Sequence, residues 1–232
     1  MARAQIRFVF AISYELSFSL MKGIIFDFDG TLTPLTLNFD LLRAEMEAIA
    51  RRYVTDDVIL SFKNQYILEM INGIEATLDG KNTRFKEEAY TRLRDLEVEA
   101  SKGKDVYPYA RDVLQRLKDR GISVGIVTRS CIDALRTVFP DISKYADSVV
   151  TREDTKYVKP NPLHVAEVLR ALRLEPDDVI MVGDHPTDVI AGRALNMRTV
   201  GVLTGRTTKD GFEKVQATFI FDDIRDTLTI GS

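Results

Sequence analysis

The chain is poor in the residues that build covalent or metal cross-links. It has a single cysteine, Cys131, and two histidines, His164 and His185. One cysteine excludes an intramolecular disulfide and a cysteine zinc site, and it fits a reducing, cytoplasmic setting. No apolar run approaches the ~18 to 20 residues that span a bilayer. Charge of one sign is also missing: 32 basic against 35 acidic side chains leave a formal net charge of −3, spread along the chain. That balance provides no broad basic surface for nucleic acid and no polybasic anchor for a membrane, so an acidic small ligand must be held locally. There are no repeats and no low-complexity tract, and nothing in the composition fixes an oligomeric state.

What is present is a pattern that changes twice. Residues 1–20 contain RFVFAISYELSFSL behind Arg3 and Arg7, which superficially resembles a signal peptide. Glu15 interrupts the apolar run, no small-residue cleavage site follows, and the first core strand begins just after Met21, so the signal reading is rejected. The stretch is expected to be either an upstream extension or an extra strand or arm. Gly23 to Phe28 reads as a strand buried on both faces. Thr36 to Lys104 then shows helical stripes only: Leu42, Met46, Ile49, Tyr53; Ile59, Phe62, Tyr66, Met70; and Phe85, Ala89, Leu93, Leu96. These stripes predict the core of a small bundle. Asn72 to Asn82, with Gly73 and Gly80 and no stripe, predicts a loop or a broken helix.

From Lys104 onward, helices alternate with short apolar strands at Ile122–Val127, Ser148–Val150, Val179–Val182 and Thr199–Leu203. A late edge strand follows at Thr218–Phe221. Such alternation predicts an α/β fold, a doubly wound parallel sheet with helices on both faces. The 232 residues therefore divide into a core of 21–35 with 105–232 and an inserted helical unit, 36–104.

Polar residues stand where these strands end. Asp27 and Asp29 follow the first, Thr128 follows the second, and Asp184 follows Val179–Val182. Two carboxylates at the end of a buried strand are costly unless a cation or a reaction needs them, although a DxDGT taken alone could be a loop cap. Gly30 suits a tight turn, and the Thr31 hydroxyl can reach a bound oxyanion. Ligands bind at the carboxyl ends of strands in open parallel sheets, so these distant residues should converge. Lys159 lies before Pro160, which favours an extended backbone, while Asn161 and Pro162 read as a helix cap and first turn.

Taken together, DFDGT (Asp27–Thr31), VTR (Val127–Arg129), VKPNP (Val158–Pro162) and GDHPTD (Gly183–Asp188) resemble the haloacid dehalogenase-like hydrolases. The likeness is to their capped phosphatase branch, with phosphoglycolate phosphatase the nearest analogy, and it covers Met21 to about Gly205. It implies a Rossmann-like core with the helical block as a cap. It also implies Asp27 as nucleophile, Asp29 as general acid and base, Thr128 as a phosphoryl hydrogen-bond donor and Lys159 as the neutralising cation. Mg²⁺ would be held by Asp27, the Asp29 backbone carbonyl and Asp184. Asp188 reads either as an orienter of that site or as a helix N-terminal acid, and His185 as a hydrogen-bonding partner. Arg129 stands where many relatives have asparagine, and is either solvated or a fork for a second anionic group.

The expected activity is hydrolysis of a small phosphorylated metabolite. A dehalogenase is disfavoured by Asp29, and a phosphonatase would need a cap lysine that spacing does not assign. A phosphomutase differs only in its acceptor. A phospho-aspartate signalling module would lack the helical insertion. The inserted block is expected to act as a mobile lid.

Overall fold

The computed structural model describes residues 21–78 and 83–230. The chain divides into two compact units. One runs through Leu35 and resumes at Lys104, and the other is Thr36–Gly103. In chain order, strand β1 (Gly23–Phe26) precedes the helices α1 (Phe39–Ala50), α2 (Asp56–Ser61), α3 (Ile67–Thr77) and α4 (Thr83–Ser101). The alternating part then follows: α5 (Ala110–Asp119), β2 (Ser123–Val127), α6 (Ile132–Val138), β3 (Ser148–Val150), α7 (Pro162–Leu172) and β4 (Val179–Gly183). It ends with α8 (Pro186–Ala194), β5 (Arg198–Val202), α9 (Lys209–Lys214) and β6 (Phe219–Phe221).

The six strands form one parallel sheet in the order β3-β2-β1-β4-β5-β6. β1 is central because all four of its residues are buried, and its side chains alternate between two cores. Ile24 and Phe26 join Val113, Leu114, Leu117 and Leu135 on the face covered by α5 and α6. Ile25 joins Val165, Val168, Met181 and Ala191 on the face covered by α7 and α8. Burial on both sides explains the near-continuous apolar runs of a parallel sheet. The chain winds from β1 through β2 to β3 on one side, then returns to β4 on the other. The reversal opens a crevice at the carboxyl end of β1, between β2 and β4.

β1 stops at Phe26, two residues short of the run expected from apolar pattern. Beyond it the backbone turns: the amides of Thr31, Leu32 and Thr33 all donate to the Phe28 carbonyl, and Gly30 N donates to Thr33 O at 2.8 Å. Helix α7 starts as its sequence suggests, with Asn161 Oδ1 accepting from Leu163 N at 3.0 Å and Pro162 in the first turn.

The Thr36–Gly103 unit is wholly helical among the described residues. Leu42 and Met46 of α1, Met70, Ile71 and Ile74 of α3, and Phe85, Ala89 and Leu93 of α4 are buried. Two expectations for it are corrected. Ile59, Phe62, Tyr66 and Met70 do not share one helix: α2 ends at Ser61, and Tyr66 is an exposed residue just before α3. Of the stretch 72–82, expected as a loop or a broken helix, residues 72–77 are the end of α3 rather than loop, and Gly73 is tolerated there because Phe62 packs where its side chain would be. The rest of that expected loop, 79–82, and the expected extension 1–20 lie outside the described residues. Among the described residues, no helix is long and apolar enough to cross a membrane.

Candidate active site

The crevice gathers residues far apart in sequence. Asp27 is the first residue past β1, held there by its amide donating to Val182 O at 2.8 Å. Lys159 reaches it from the loop before α7 and is 1% exposed. Its Nζ lies 2.5 Å from Asp27 Oδ1 and 2.6 Å from Asp188 Oδ1, and it also donates to Val127 O at 3.0 Å. All three ammonium protons thus have acceptors. Burial pulls the Lys159 pKa down, but Asp188 and Asp27 outweigh it and hold the ammonium above its ordinary value.

Asp184, the first residue past β4, faces this pair. Thr31 Oγ1 donates to its Oδ1 at 3.3 Å. The carboxylate is walled by two glycines. A Cβ at Gly30, whose φ is +88°, would stand 2.3 Å from Asp184 Oδ2, and one at Gly205 would stand 1.8 Å from it. Neither position admits a side chain without displacing the carboxylate or its loop. Burial, then the charges of Asp27 and Asp188, push the Asp184 pKa up.

Asp188 sits in the first turn of α8, where His185 is the cap. His185 N donates to Asp188 Oδ2 at 3.0 Å, and His185 Nδ1 accepts from Thr187 N at 3.3 Å. Burial raises the Asp188 pKa and Lys159 opposes it. Carboxylate oxygens of Asp27, Asp184 and Asp188 lie within 4.8 Å of one another, a group of three buried aspartates that could hold a metal ion. They fit a hard divalent cation on their own chemistry, since all donors are oxygens and three carboxylates crowd against one ammonium. Asp188 therefore pairs with Lys159 and stands in the acidic cluster while also lying in the first turn of α8.

Asp29 is half-buried across the turn. Thr128 Oγ1 donates to its Oδ2 at 3.3 Å, and Ser130 Oγ donates to the same oxygen at 2.6 Å. Arg129, between them, turns elsewhere. Its guanidinium donates to the Lys159 carbonyl, and its own carbonyl accepts from Arg152 Nη1 at 3.3 Å. This brace is a third role, beside the solvated side chain and the substrate fork that the sequence leaves open. His164, fully buried on α7, accepts the Lys159 amide on Nδ1 at 3.2 Å. Burial first, and Lys159 next, push the His164 pKa down to about 3, so the imidazole is neutral.

The structure thus brings Asp27, Asp29, Gly30, Thr31, Thr128, Lys159, Asp184 and Asp188 to one crevice, with Arg129 at its edge. It adds Ser130, His164, Thr204 and Gly205, none of which motif reading singled out for the site. Thr204 Oγ1 donates to the Gly30 carbonyl at 2.6 Å and so ties the loop after β5 to the Asp27 turn. A strand-end search carried one strand further, to β5, would have found this last pair.

A doubly wound sheet with a carboxylate cluster and a buried lysine at its switch point is the frame of a strand-end site for an anionic ligand. A family model described as haloacid dehalogenase-like hydrolase matches residues 21–196, and the chain belongs to that family. The chain is an enzyme, a hydrolase whose relatives carry phosphatase names. Pyrophosphatase PpaX of Oceanobacillus iheyensis is 28% identical over 216 residues, covering 90% of this chain and 96% of the relative. Its namesake from Bacillus velezensis is 29% identical over 203 residues, covering 83% and 89%. Among solved structures, a predicted phosphoglycolate phosphatase from Haemophilus somnus matches with TM-score 0.63 at 17% identity, over 92% of this chain and 99% of that one. The β-phosphoglucomutase of Clostridium difficile matches with TM-score 0.64 at 20% identity, over 89% and 92%. At those identities the structures speak for the fold.

Proposed function

We propose that the protein is a Mg²⁺-dependent phosphatase that hydrolyses a small phosphate monoester through an aspartyl-phosphate on Asp27. The observation that supports this most is the pairing of Asp27 with the buried Lys159, 2.5 Å away, inside a cluster of two further aspartates. A carboxylate placed so is held and oriented by a fixed cation, which suits a nucleophile.

In the first step a carboxylate oxygen of Asp27 attacks phosphorus while the bond from phosphorus to the ester oxygen breaks. Asp29, in its acid form, gives a proton to the departing alkoxide. In the second step Asp29, now a base, takes a proton from water as the water oxygen attacks phosphorus. Inorganic phosphate leaves and Asp27 is restored. Lys159 balances charge on Asp27 and the phosphoryl oxygens throughout, and the hydroxyls of Thr31 and Thr128, which donate to Asp184 and Asp29 in the substrate-free site, would turn to those oxygens when phosphate is bound. Asp27, the Asp29 backbone carbonyl and Asp184 would hold Mg²⁺, with Asp188 beside them, and the ion would supply positive charge against the phosphate. The substrate is a small phosphorylated metabolite. Phosphoglycolate is suggested by resemblance and pyrophosphate by the relatives' names. Choice among metabolites is assigned to the helical unit. The single buried cysteine, Cys131, supports a cytoplasmic setting.

The test is phosphate release from p-nitrophenyl phosphate, phosphoglycolate, hexose phosphates and pyrophosphate, with Mg²⁺ and with EDTA. Repeated turnover with Mg²⁺ and its abolition in Asp27→Asn are expected. Near wild-type release by Asp27→Asn, or turnover indifferent to EDTA, would contradict the reading.

A further inference from the structure

Ser130 is buried, follows β2 by three residues, and has no part in the steps above. Its hydroxyl donates to Asp29 Oδ2 at 2.6 Å, shorter than the 3.3 Å bond from Thr128 Oγ1 to the same oxygen. Its amide donates to Thr128 Oγ1 at 3.0 Å. The Thr128 oxygen is thereby engaged as an acceptor, and its own proton is directed to Asp29 Oδ2. Two hydroxyls, one from each side of Arg129, thus converge on one carboxylate oxygen.

We propose that Ser130 is a positioning residue for Asp29, whose carboxylate it holds in the crevice through Oδ2. The inference rests on the phosphatase reading. Asp29 is half-buried, so its side chain would otherwise sample rotamers that point away from the crevice. The bond from Ser130 also persists through the cycle, because a carboxyl oxygen accepts from a hydroxyl whether the group is ionised or protonated. General acid catalysis needs the donor oxygen within hydrogen-bond reach of the leaving oxygen, and so depends on this anchoring.

The alanine variant removes only the hydroxyl, since its backbone N–H to Thr128 remains. The readout is kcat/KM, which reports steps up to departure of the alcohol. It is measured with Mg²⁺ on p-nitrophenyl phosphate, whose leaving group needs little protonation, and on glycerol phosphate, whose alkoxide needs a proton. Ser130→Ala is expected to lose roughly 10-fold or more on glycerol phosphate and less than about 3-fold on p-nitrophenyl phosphate. Ser130→Thr should restore the ratio, and Asp29→Asn should show the same bias more strongly. Ser130→Cys, nearly isosteric but a weak donor, replaces the alanine variant if that does not fold, and must show the same bias. Equal losses on both substrates, or no loss, would overturn the proposal. A wild-type protein inactive on both substrates overturns the phosphatase reading instead.

Discussion

Replacing Lys159 with methionine tests the electrostatic design of the crevice directly. The side chain is 1% exposed and its ammonium is the partner of both Asp27 at 2.5 Å and Asp188 at 2.6 Å. Methionine fills much of the same volume, so the change removes charge more than packing. Leaving buried carboxylates without their cation costs about 3 to 5 kcal/mol. For a chain of this size, each kcal/mol shifts the melting temperature by roughly 2 to 4 °C, so a loss of about 6 to 20 °C is expected in EDTA. Mg²⁺ would recover part of that loss, because a divalent cation restores positive charge to the same cluster. Adding Asp188→Asn to Lys159→Met should recover part of it without metal, since one of the two stranded charges is then gone. Turnover should fall about 10²- to 10³-fold even at saturating Mg²⁺, the cost typical of losing a fixed electrostatic contact to the reacting group. The assays are thermal unfolding in EDTA and in Mg²⁺, and phosphate release. A Lys159→Met protein that melts with the wild type in EDTA would refute the account of Lys159 as the counter-charge of this cluster.

Asp184→Ala should raise the Mg²⁺ concentration needed for half-maximal phosphate release more than it alters folding; an unchanged requirement would remove Asp184 from the ion's ligands. Gly205→Ala places a carbon 1.8 Å from Asp184 Oδ2, and should weaken Mg²⁺ dependence about 10- to 100-fold; unchanged dependence would show that the loop yields freely. His164 gives a pH dependence. The unfolded imidazole binds a proton near its ordinary value of 6.5 and the folded one only near about 3. Protons therefore favour the unfolded chain between those values, and stability is lost as pH falls through 6.5, by about 2 kcal/mol at pH 5. His164→Asn should flatten that slope in melting curves from pH 7.5 to 5, and an identical slope would rule the imidazole out. Replacing Thr36–Gly103 with a short Gly/Ser linker should leave hydrolysis of p-nitrophenyl phosphate but flatten preference across metabolites. An unaltered order of preference in a folded capless protein would end the view that this unit selects substrate.

The parallel sheet is legible in the chain because both faces of each strand are buried, and apolar runs such as GIIF and VIMVG stand out between polar helices. The crevice is legible for a related reason: residues that break an apolar run at a strand end have few physical excuses. Asp27, Thr128 and Asp184 all announce themselves in that way. Ser130 and His164 do not. Their roles come from a third dimension, a hydroxyl meeting Asp29 from another strand and an imidazole meeting a backbone amide five residues earlier. Ordinary serines and buried histidines look the same in one dimension. The helical unit misleads at Phe62 and Tyr66 because a turn of Ser61 to Tyr66 keeps helical spacing by accident, while the helix has already ended.

The split between lysine and metal follows from charge. Three carboxylates face one ammonium in a cluster shielded from solvent, and full ionisation would leave two negative charges in excess, which is why burial and mutual repulsion push Asp184 and Asp188 toward their protonated forms. A phosphate monoester dianion brought to that cluster would meet repulsion strengthened by the low local dielectric. A second fixed lysine or arginine could cancel only part of the excess. Arg129, the nearest candidate in sequence, is committed to the Lys159 carbonyl. A divalent cation cancels all of it. Asp184, raised by burial and by its neighbours, is the carboxylate with most to gain. Lys159 keeps Asp27 oriented while no substrate is present, and a bound divalent ion would make the site receptive to an anion. Neither can replace the other, so added Mg²⁺ should restore the stability of Lys159→Met further than its turnover.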